Sequence, residues 1–532
     1  MKRRKDGESM YQCPGCGGNL KFNVEKQKLY CENCSYAVDP LEAKDVKAAE
    51  EEQLSDEEYE VTVFRCPQCG AEILSEDTTA ATFCSFCCSS TVLESRVTKE
   101  KKPAYILPFK KTKEDCKNAY ENMMKKALFV PKEYKDPAYI EKFRGIYMPY
   151  WDYQYQTNKL LQFKGSKSKR KGNYIYKDMY DVSCHFKMDY KGVYFDASST
   201  FADHLSECIA PFDVKEEKEF TPAYLSGFYA DINDVKMETY ATFADKFVKK
   251  DVRDTAKNNA ELKEYEISDE HIDNIPVMNF RKPKLVLLPV WFLSYRKGDR
   301  VSYAVVNGQT GKVAADLPVD MRKYLKSSLI ASLLLFVILN FFFTFTPGKL
   351  LFFAALLAVG CFFAANQQMT KLIVKDLGLD DYGKISVSQK NNNNSKKKKT
   401  GRRGIPFNSA LWVCMICSVI PVFWVFLPIC VFIIILSASG EFTLERKESI
   451  YRQYHWKHMK EKMPVLIKPV LGLIAIIGMF LFHPVFDGWY YLASFVSLVM
   501  TGLSAIDLMK YHNRLVSRRL PQLNKRGGDN FE

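Results

Sequence analysis

Two sets of four cysteines constrain this chain more than any other feature. Cys13, Cys16, Cys31 and Cys34 form the first set, and Cys66, Cys69, Cys84 and Cys87 form the second. Both read C-x2-C-x14-C-x2-C. Two cysteines three apart in a tight turn can aim both sulfurs at one ion. Two such knuckles joined by a hairpin complete a tetrahedral four-thiolate site, the usual setting of structural Zn²⁺. Each first knuckle is C-P-x-C-G, with Gly17 or Gly70 just after the second cysteine. That glycine lets the chain turn so that backbone amides face the thiolates. Leu20, Phe22, Leu29 and Tyr30 suit a small sheet between the knuckles. A ribbon of about 25–30 residues has almost no core, so metal is expected to supply most of its folding free energy. Redox chemistry would want one C-x-x-C beside a βαβ pattern, not four. Closed all-cysteine sites leave no open coordination position, so both zincs are expected to be structural. Cys88 is an extra thiol that either stands by or exchanges with Cys87.

Twelve of the 16 cysteines precede residue 320. No apolar stretch follows the basic start MKRRKDGESM, so no signal peptide is read and the N-terminal half is expected in the reducing cytosol. Residues 321–532 hold 27 of the 76 Lys+Arg and 11 of the 62 Asp+Glu, leaving 49 and 51 for residues 1–320. The formal charge of +14 therefore belongs to the C-terminal half. A near-neutral head argues against nucleic acid as the partner of the ribbons, because phosphate binding needs a basic face. Residues 39–60 between the ribbons are acidic and read as a solvated spacer.

The stretch 100–320 is long enough for an α+β domain. Residues 112–128 have a helical pattern with Ala119, Met123 and Ala127 on one face, and Thr112 with Asp115 is an N-cap signal. A second helix is expected over roughly 231–262. Strands are expected at 145–156 and 284–296, and both carry P-x-W-x-x-x-Y: Pro149, Trp151, Tyr155 and Pro289, Trp291, Tyr295. Proline cannot donate to a ladder, which predicts an edge or bulge in each strand. The pair reads either as an internal duplication or as two unrelated aromatic strands. Residues 301–318 signal a hairpin at Asn307-Gly308 and Gly311. The basic run 164–172 reads as a solvated hairpin tip. Cys184–His185 and His204–Cys208 are the only candidate Cys–His pairs noted. Neither belongs to a nucleophile motif, and the chain is read as a non-enzyme.

Apolar runs at 328–345, 350–366, 465–482 and 489–508 are near the length that spans a bilayer. Residues 409–437 are also apolar, with Pro421 and Pro428 near the middle. The basic stretches 367–408, 438–463 and 510–532 belong in the cytosol by the positive-inside rule. That makes 409–437 a hairpin or re-entrant segment, with one long tilted helix as the rival. Lys468 is expected to snorkel to water, Asp507 lies at a helix end, and no charge is expected mid-span. Cys414 and Cys417 read as packing within an apolar run. The run at 391–404 is low-complexity and has some attraction for anionic lipid.

The knuckles resemble zinc ribbons of transcription factor IIB type. The longer arrangement is more specific: two ribbons, YILPFKKTKEDCKNAYENMMKKA, LLPVWFLSY, VNGQTGK, then apolar helices. Over about residues 10–366 it resembles a family of bacterial zinc-ribbon-containing membrane proteins. Some relatives resemble anchors for phage shock protein A and flotillin-like proteins. The resemblance implies a membrane adaptor that docks such a cytosolic partner in envelope stress.

The expected architecture is multidomain. It has zinc ribbon 1 (10–38), an acidic linker (39–60), zinc ribbon 2 (61–97) and a cytosolic α+β domain (100–320). An α-helical transmembrane region follows: hairpin 327–367, basic loop 368–408, apolar segment 409–437, basic segment 438–463, hairpin 464–509 and basic tail 510–532. The expected setting is the inner membrane, multi-pass, with head and tail cytosolic. Nucleic-acid binding by the ribbons, and a transporter or enzyme, are the alternatives.

Overall fold

The computed structural model describes residues 11–43, 58–75, 84–89, 94–172, 174–201, 203–258, 265–267, 279–280, 282–342, 346–376, 449–482 and 484–519. Most of the acidic linker and of the basic loop lie outside the described residues. So do the apolar segment 409–437 with Cys414 and Cys417, the start of the basic segment, and the tail beyond 519.

The chain begins with a three-stranded antiparallel sheet: β1 (Leu20–Asn23), β2 (Lys28–Cys31) and β3 (Ala37–Val38). β4 (Glu58–Arg65), β5 (Glu72–Ser75) and β6 (Glu94–Lys101) form the second ribbon, wider than the expected 61–97. It is continuous with the domain, because β5 pairs with β11 (Tyr229–Asp231). The first ribbon is not free-standing either. Tyr11, Cys13, Leu20, Phe22 and Leu29 join the core cluster that holds Phe109, Tyr147 and Trp291. Both ribbons thus share a core that 30 residues could not build alone.

The centre of the large sheet is β8 (Arg144–Lys171) paired antiparallel with β14 (Lys284–Lys297). These strands carry the two aromatic motifs and cross with Met148 opposite Leu288, each one residue before its motif proline. Their surroundings match. β7 (Tyr105–Ile106) runs parallel to β14 at Val286 and Leu287, as β11 does to β8 at Ile146 and Tyr147. Past Pro289 the outer side of β14 passes to β15 (Arg300–Asn307); past Pro149 the outer side of β8 passes to β9 (Tyr174–Asp196). Trp291 Nε1 donates to the Lys111 carbonyl at 2.9 Å, and Trp151 Nε1 donates to the Val235 carbonyl at 2.8 Å. Helix α1 (Lys113–Lys126) follows the first acceptor. After α2 (Pro137–Ile140) and α3 (Asp203–Ile209), α4 (Ala241–Asn258) follows the second.

The prolines correct one expectation. Neither strand is an edge, and the register irregularity of β8 falls between Tyr153 and Tyr155, not at Pro149. Gly308 N donates to the Pro289 carbonyl and Ala197 N to the Pro149 carbonyl, both at 2.9 Å. In a strand, the N and C=O of one residue point to the same side. Each proline nitrogen therefore faces the joint where one outer partner ends and the next begins, and no ladder bond to the central pair is lost.

Other expectations shift by a few residues. The Thr112–Asp115 capping box forms, but α1 buries Cys116, Tyr120 and Met124, with Met123 and Ala127 on the flank. Residues 229–231 are strand β11, and α4 starts only at Ala241. Tyr240 just before it, with its Ala244, Val248 and Val252, lies on the root of the β8–β9 hairpin. The basic run 164–171 is strand: Lys169 pairs with Tyr176, and the turn comes at Gly172 with φ +65°. β10 (Lys218–Glu219), β12 (Glu266–Ile267), β13 (Asn279–Phe280) and β16 (Val313–Ala315) complete the sheet margins.

Asp231 in β11 is buried. It accepts from Ser198 Oγ at 2.5 Å, from the Thr200 hydroxyl and from the Ile232 amide at 3.0 Å. Burial pushes its carboxyl up to about 7, against the opposing pull of those donors. The unfolded chain holds this proton only to about pH 4. The folded state therefore binds it more tightly, and stability falls as pH rises from about 4 to about 7, by up to about 4 kcal/mol. Melting of detergent-solubilised wild type and Asp231→Asn across that window checks this. The variant should lose the excess slope; equal slopes would exclude the assignment.

Among the described residues, the C-terminal helices are α5 (Met321–Phe342), α6 (Pro347–Asp376), α7 (Ser449–Phe482) and α8 (Gly488–Val516). Two contain stretches long and apolar enough to cross a membrane, Pro347–Asn366 and Gly488–Arg514; Met463–Met479 is a shorter apolar stretch. α6, α7 and α8 pack on one another through Leu351, Ala354, Ile476 and Ala493. Gly472 meets Ser497 so closely that a Cβ would lie 2.9 Å from its Oγ, the small-residue contact that lets helix backbones approach. The Lys468 ammonium pairs with Asp507 of α8, a partner the sequence reading did not name. Lys510 adds a second contact to Asp507 at 3.1 Å. β17 (Arg518–Arg519), just past α8, pairs with the start of β15 and ties this bundle to the sheet.

Candidate metal centres

All eight cysteines singled out in the sequence converge in two clusters, with the four sulfurs of each within 4.8 Å of one another. In the first, Cys13 Sγ lies 3.3 Å from Cys34 Sγ and Cys16 Sγ 3.4 Å from Cys31 Sγ. In the second, the Cys66–Cys87 and Cys69–Cys84 separations are both 3.7 Å. Sulfurs at the corners of a tetrahedron with ~2.3 Å metal–sulfur bonds stand about 3.8 Å apart. The donor sets therefore fit a metal ion at each cluster.

One backbone pattern builds all four knuckles. The residue after each second cysteine donates its amide to the first cysteine's carbonyl: Gly17 to Cys13, Ser35 to Cys31, Gly70 to Cys66 and Cys88 to Cys84, at 2.8–3.0 Å. Each of these four residues has positive φ, from +57° at Cys88 to +76° at Gly70. The expected role of Gly17 and Gly70 thus extends to Ser35 and Cys88. Comparing the four knuckle sequences would have shown that one position repeats. Cys88 turns its sulfur away from the cluster, 2.9 Å from Ser294 Oγ, and takes no part in the second quartet.

The two centres differ in exposure. Cys16 and Cys34 are exposed, whereas all four cysteines of the second cluster are buried. Backbone amides aimed at sulfur favour the thiolate that a metal requires. The Cys34 amide is the largest influence on Cys31 and holds its thiol down to about 7, despite desolvation.

The Cys184–His185 pair does not form. Cys184 and His185 are neighbours in β9, and successive strand residues point to opposite faces. His204 Nε2 lies 3.1 Å from Asp316 Oδ1, and the Cys208 thiol is exposed.

Fold and site together define a β-rich head with two four-cysteine clusters that could bind metal ions, followed by helices of which two could cross a membrane. A Bacillus subtilis (strain 168) protein described as "Uncharacterized protein YdjG" is similar. The two are 28% identical over 325 residues, which cover 59% of this chain and 91% of that protein. No family model matches the chain, and no solved structure matches it.

Proposed function

We propose that this protein is a membrane-anchored zinc-ribbon adaptor that holds a cytosolic protein partner at the inner membrane. The observation that carries the reading is the joining of two closed four-thiolate clusters to one β-rich head, itself tied to apolar helices through β17. A site of four thiolates has no position left for substrate, so its metal, read here as zinc, shapes a surface and does no chemistry. The helices act as an anchor. The charge they carry between Lys468 and Asp507 is paired, which suits a clamp between helices. In this reading the chain crosses the membrane several times, with head and tail cytosolic, and is not an enzyme. The resemblance to bacterial zinc-ribbon membrane proteins makes phage shock protein A or a flotillin-like protein the candidate partner.

Two experiments test this. Exposed Cys208 reports sidedness: an impermeant maleimide should label it in inside-out vesicles and not in right-side-out vesicles, with Cys208→Ser as the control. The reverse pattern would place the head outside the cell and end the proposal. Purified phage shock protein A or flotillin-like protein should sediment with vesicles carrying the chain at least ~10-fold more than with empty vesicles, the contrast a micromolar interface gives at micromolar protein. Equal sedimentation removes both candidates.

A further inference from the structure

Past β12 the β8–β9 hairpin continues as a two-stranded arm. β12 meets β8 at Gly165 and Ser166, and beyond Ser166 β8 pairs, among the described residues, only with β9. From Ser166 to the turn at Gly172 the arm runs on for about 20 Å, at ~3.3 Å per residue. A two-stranded ribbon has no core of its own, and its large side chains stand in water. Tyr174 is 74% exposed, Ile175 66%, Tyr176 57% and Met179 68%.

The register sorts these residues, because cross-strand partners share a face. One face carries Lys169 opposite Tyr176 and, next to the turn, Tyr174 opposite position 171. The other carries Arg170 opposite Ile175, with Met179 two pairs further back. Tyr180, on the first face, packs on Tyr265 with ring centroids 5.5 Å apart. Tyr174 and Tyr176 have no ring or hydrogen-bond partner among the described residues. Arg170 is exposed and donates Nε–H to the Gly172 carbonyl at 3.3 Å. Lys169 is exposed too, and the first carboxylate after the turn, Asp178, stands opposite Lys167 instead. Residues 153–177 hold seven Lys and Arg and no Asp or Glu.

Exposed rings interleaved with cations fit a polyanion that carries flat groups. Single-stranded nucleic acid has both, phosphates for the cations and base faces for the tyrosines. Isoleucine and methionine suit it as well, since apolar side chains can wedge between bases. The near-neutral charge of residues 1–320 does not count against this site. The arm extends further than the ~8–10 Å over which salt screens exposed charge, so its local excess dominates at the tip. An acidic protein groove would answer the cations but gives no reason for two bare rings on one face. The place of the arm disfavours lipid. β17 and the end of α8 meet the sheet at Arg300, by the end of β14, whereas β8 passes the start of β14 at Lys284 and leaves from the opposite end.

We propose that the tip of the β8–β9 hairpin binds single-stranded nucleic acid, with bases stacked on Tyr174 and Tyr176 and phosphates at Lys169 and Arg170. The inference uses neither four-thiolate cluster and stands apart from the adaptor reading.

The full chain in a non-ionic maltoside detergent is titrated into fluorescein-labelled oligo-dT and oligo-U, with anisotropy as the readout, between about 50 and about 200 mM salt. Both or either should bind, and the comparison tells DNA from RNA. Tyr174→Ala combined with Tyr176→Ala should weaken binding by ~10-fold or more, the loss of two stacking platforms. Tyr174→Phe combined with Tyr176→Phe keeps both ring faces and should bind as wild type does. Lys169→Gln combined with Arg170→Gln should flatten the log–log salt dependence by about 1.4, two phosphate contacts of a single strand. Unchanged metal content reports folding. The proposal is overturned if neither oligonucleotide binds at the lower salt, or if the folded alanine variant binds as tightly as wild type. It is also overturned if polyglutamate displaces the label as well as unlabelled oligo-dT does, which would show charge alone at work.

Discussion

Serine in place of Cys66 and Cys69 is expected to release one metal ion per chain and unfold the head. Serine in place of Cys13 and Cys16 should release the other and leave the main sheet standing. The difference comes from how each ribbon is built in. β4–β6 belong to the large sheet, and β5 carries the bond ladder to β11. Cys66, Cys69, Cys84 and Cys87 are buried in one cluster with Ile146, Val286 and Phe292. Without metal, four sulfurs would crowd an apolar site with no ion to hold them. Structural metal in small ribbons contributes about 10–16 kcal/mol of apparent binding free energy, as much as the whole net stability of a domain, about 5–15 kcal/mol. The first ribbon closes its own three-stranded sheet. It reaches the domain through side-chain packing, such as Phe22 on Tyr224 with ring centroids 5.3 Å apart, and through the Phe22 amide to the Ser226 carbonyl. Metal analysis with limited proteolysis of both variants measures the contrast. In wild type, a chelator should take metal first from the cluster that exposes Cys16 and Cys34. Equal protease sensitivity of the variants, or simultaneous release, would contradict this account.

Trp291→Ala should be the most damaging single core substitution outside the cysteines. The side chain is 6% exposed and stands 5.1 Å from Phe109 and 6.1 Å from Phe228, centroid to centroid. Removing a buried indole costs about 3–5 kcal/mol. The Lys111 carbonyl also loses the Trp291 N–H, and a stranded acceptor costs about 1–3 kcal/mol more. Lys111 directly precedes the Thr112 cap, so the start of α1 loosens as well. Trp291→Phe keeps the packing, loses the donor and should cost less. Trp151→Ala makes the equivalent change in the core beneath α4, in a cluster that holds none of the eight cysteines. It should destabilise that lobe and leave metal content unchanged. Denaturant melts of the head in detergent, followed by fluorescence, measure all three. A loss below about 1 kcal/mol for Trp291→Ala would be at odds with a buried, donor-satisfied indole.

The candidate metal site was legible because spacing alone dictates thiolate convergence, and Cys13 to Cys87 needed no tertiary information. The central strands were legible for a similar reason, since Pro149–Tyr155 and Pro289–Tyr295 announce themselves by composition. What the sequence could not show was set by distant partners. Nothing local says that Pro149 faces the joint between β11 and β9, or that β5 borrows β11 as a neighbour. The buried face of α1 lies one residue from the simplest apolar pattern because Cys116 and Tyr120 meet the core while Ala119 does not. The Lys468–Asp507 pair was not legible because Asp507 lies on another helix.

The most direct measurement is the metal content of the intact chain. Purified in detergent without chelator and weighed by native mass spectrometry, the protein should carry two zinc ions, falling to one in Cys13→Ser/Cys16→Ser. A chain that folds with no bound metal, or that holds two ions regardless of that substitution, would contradict the two-centre account.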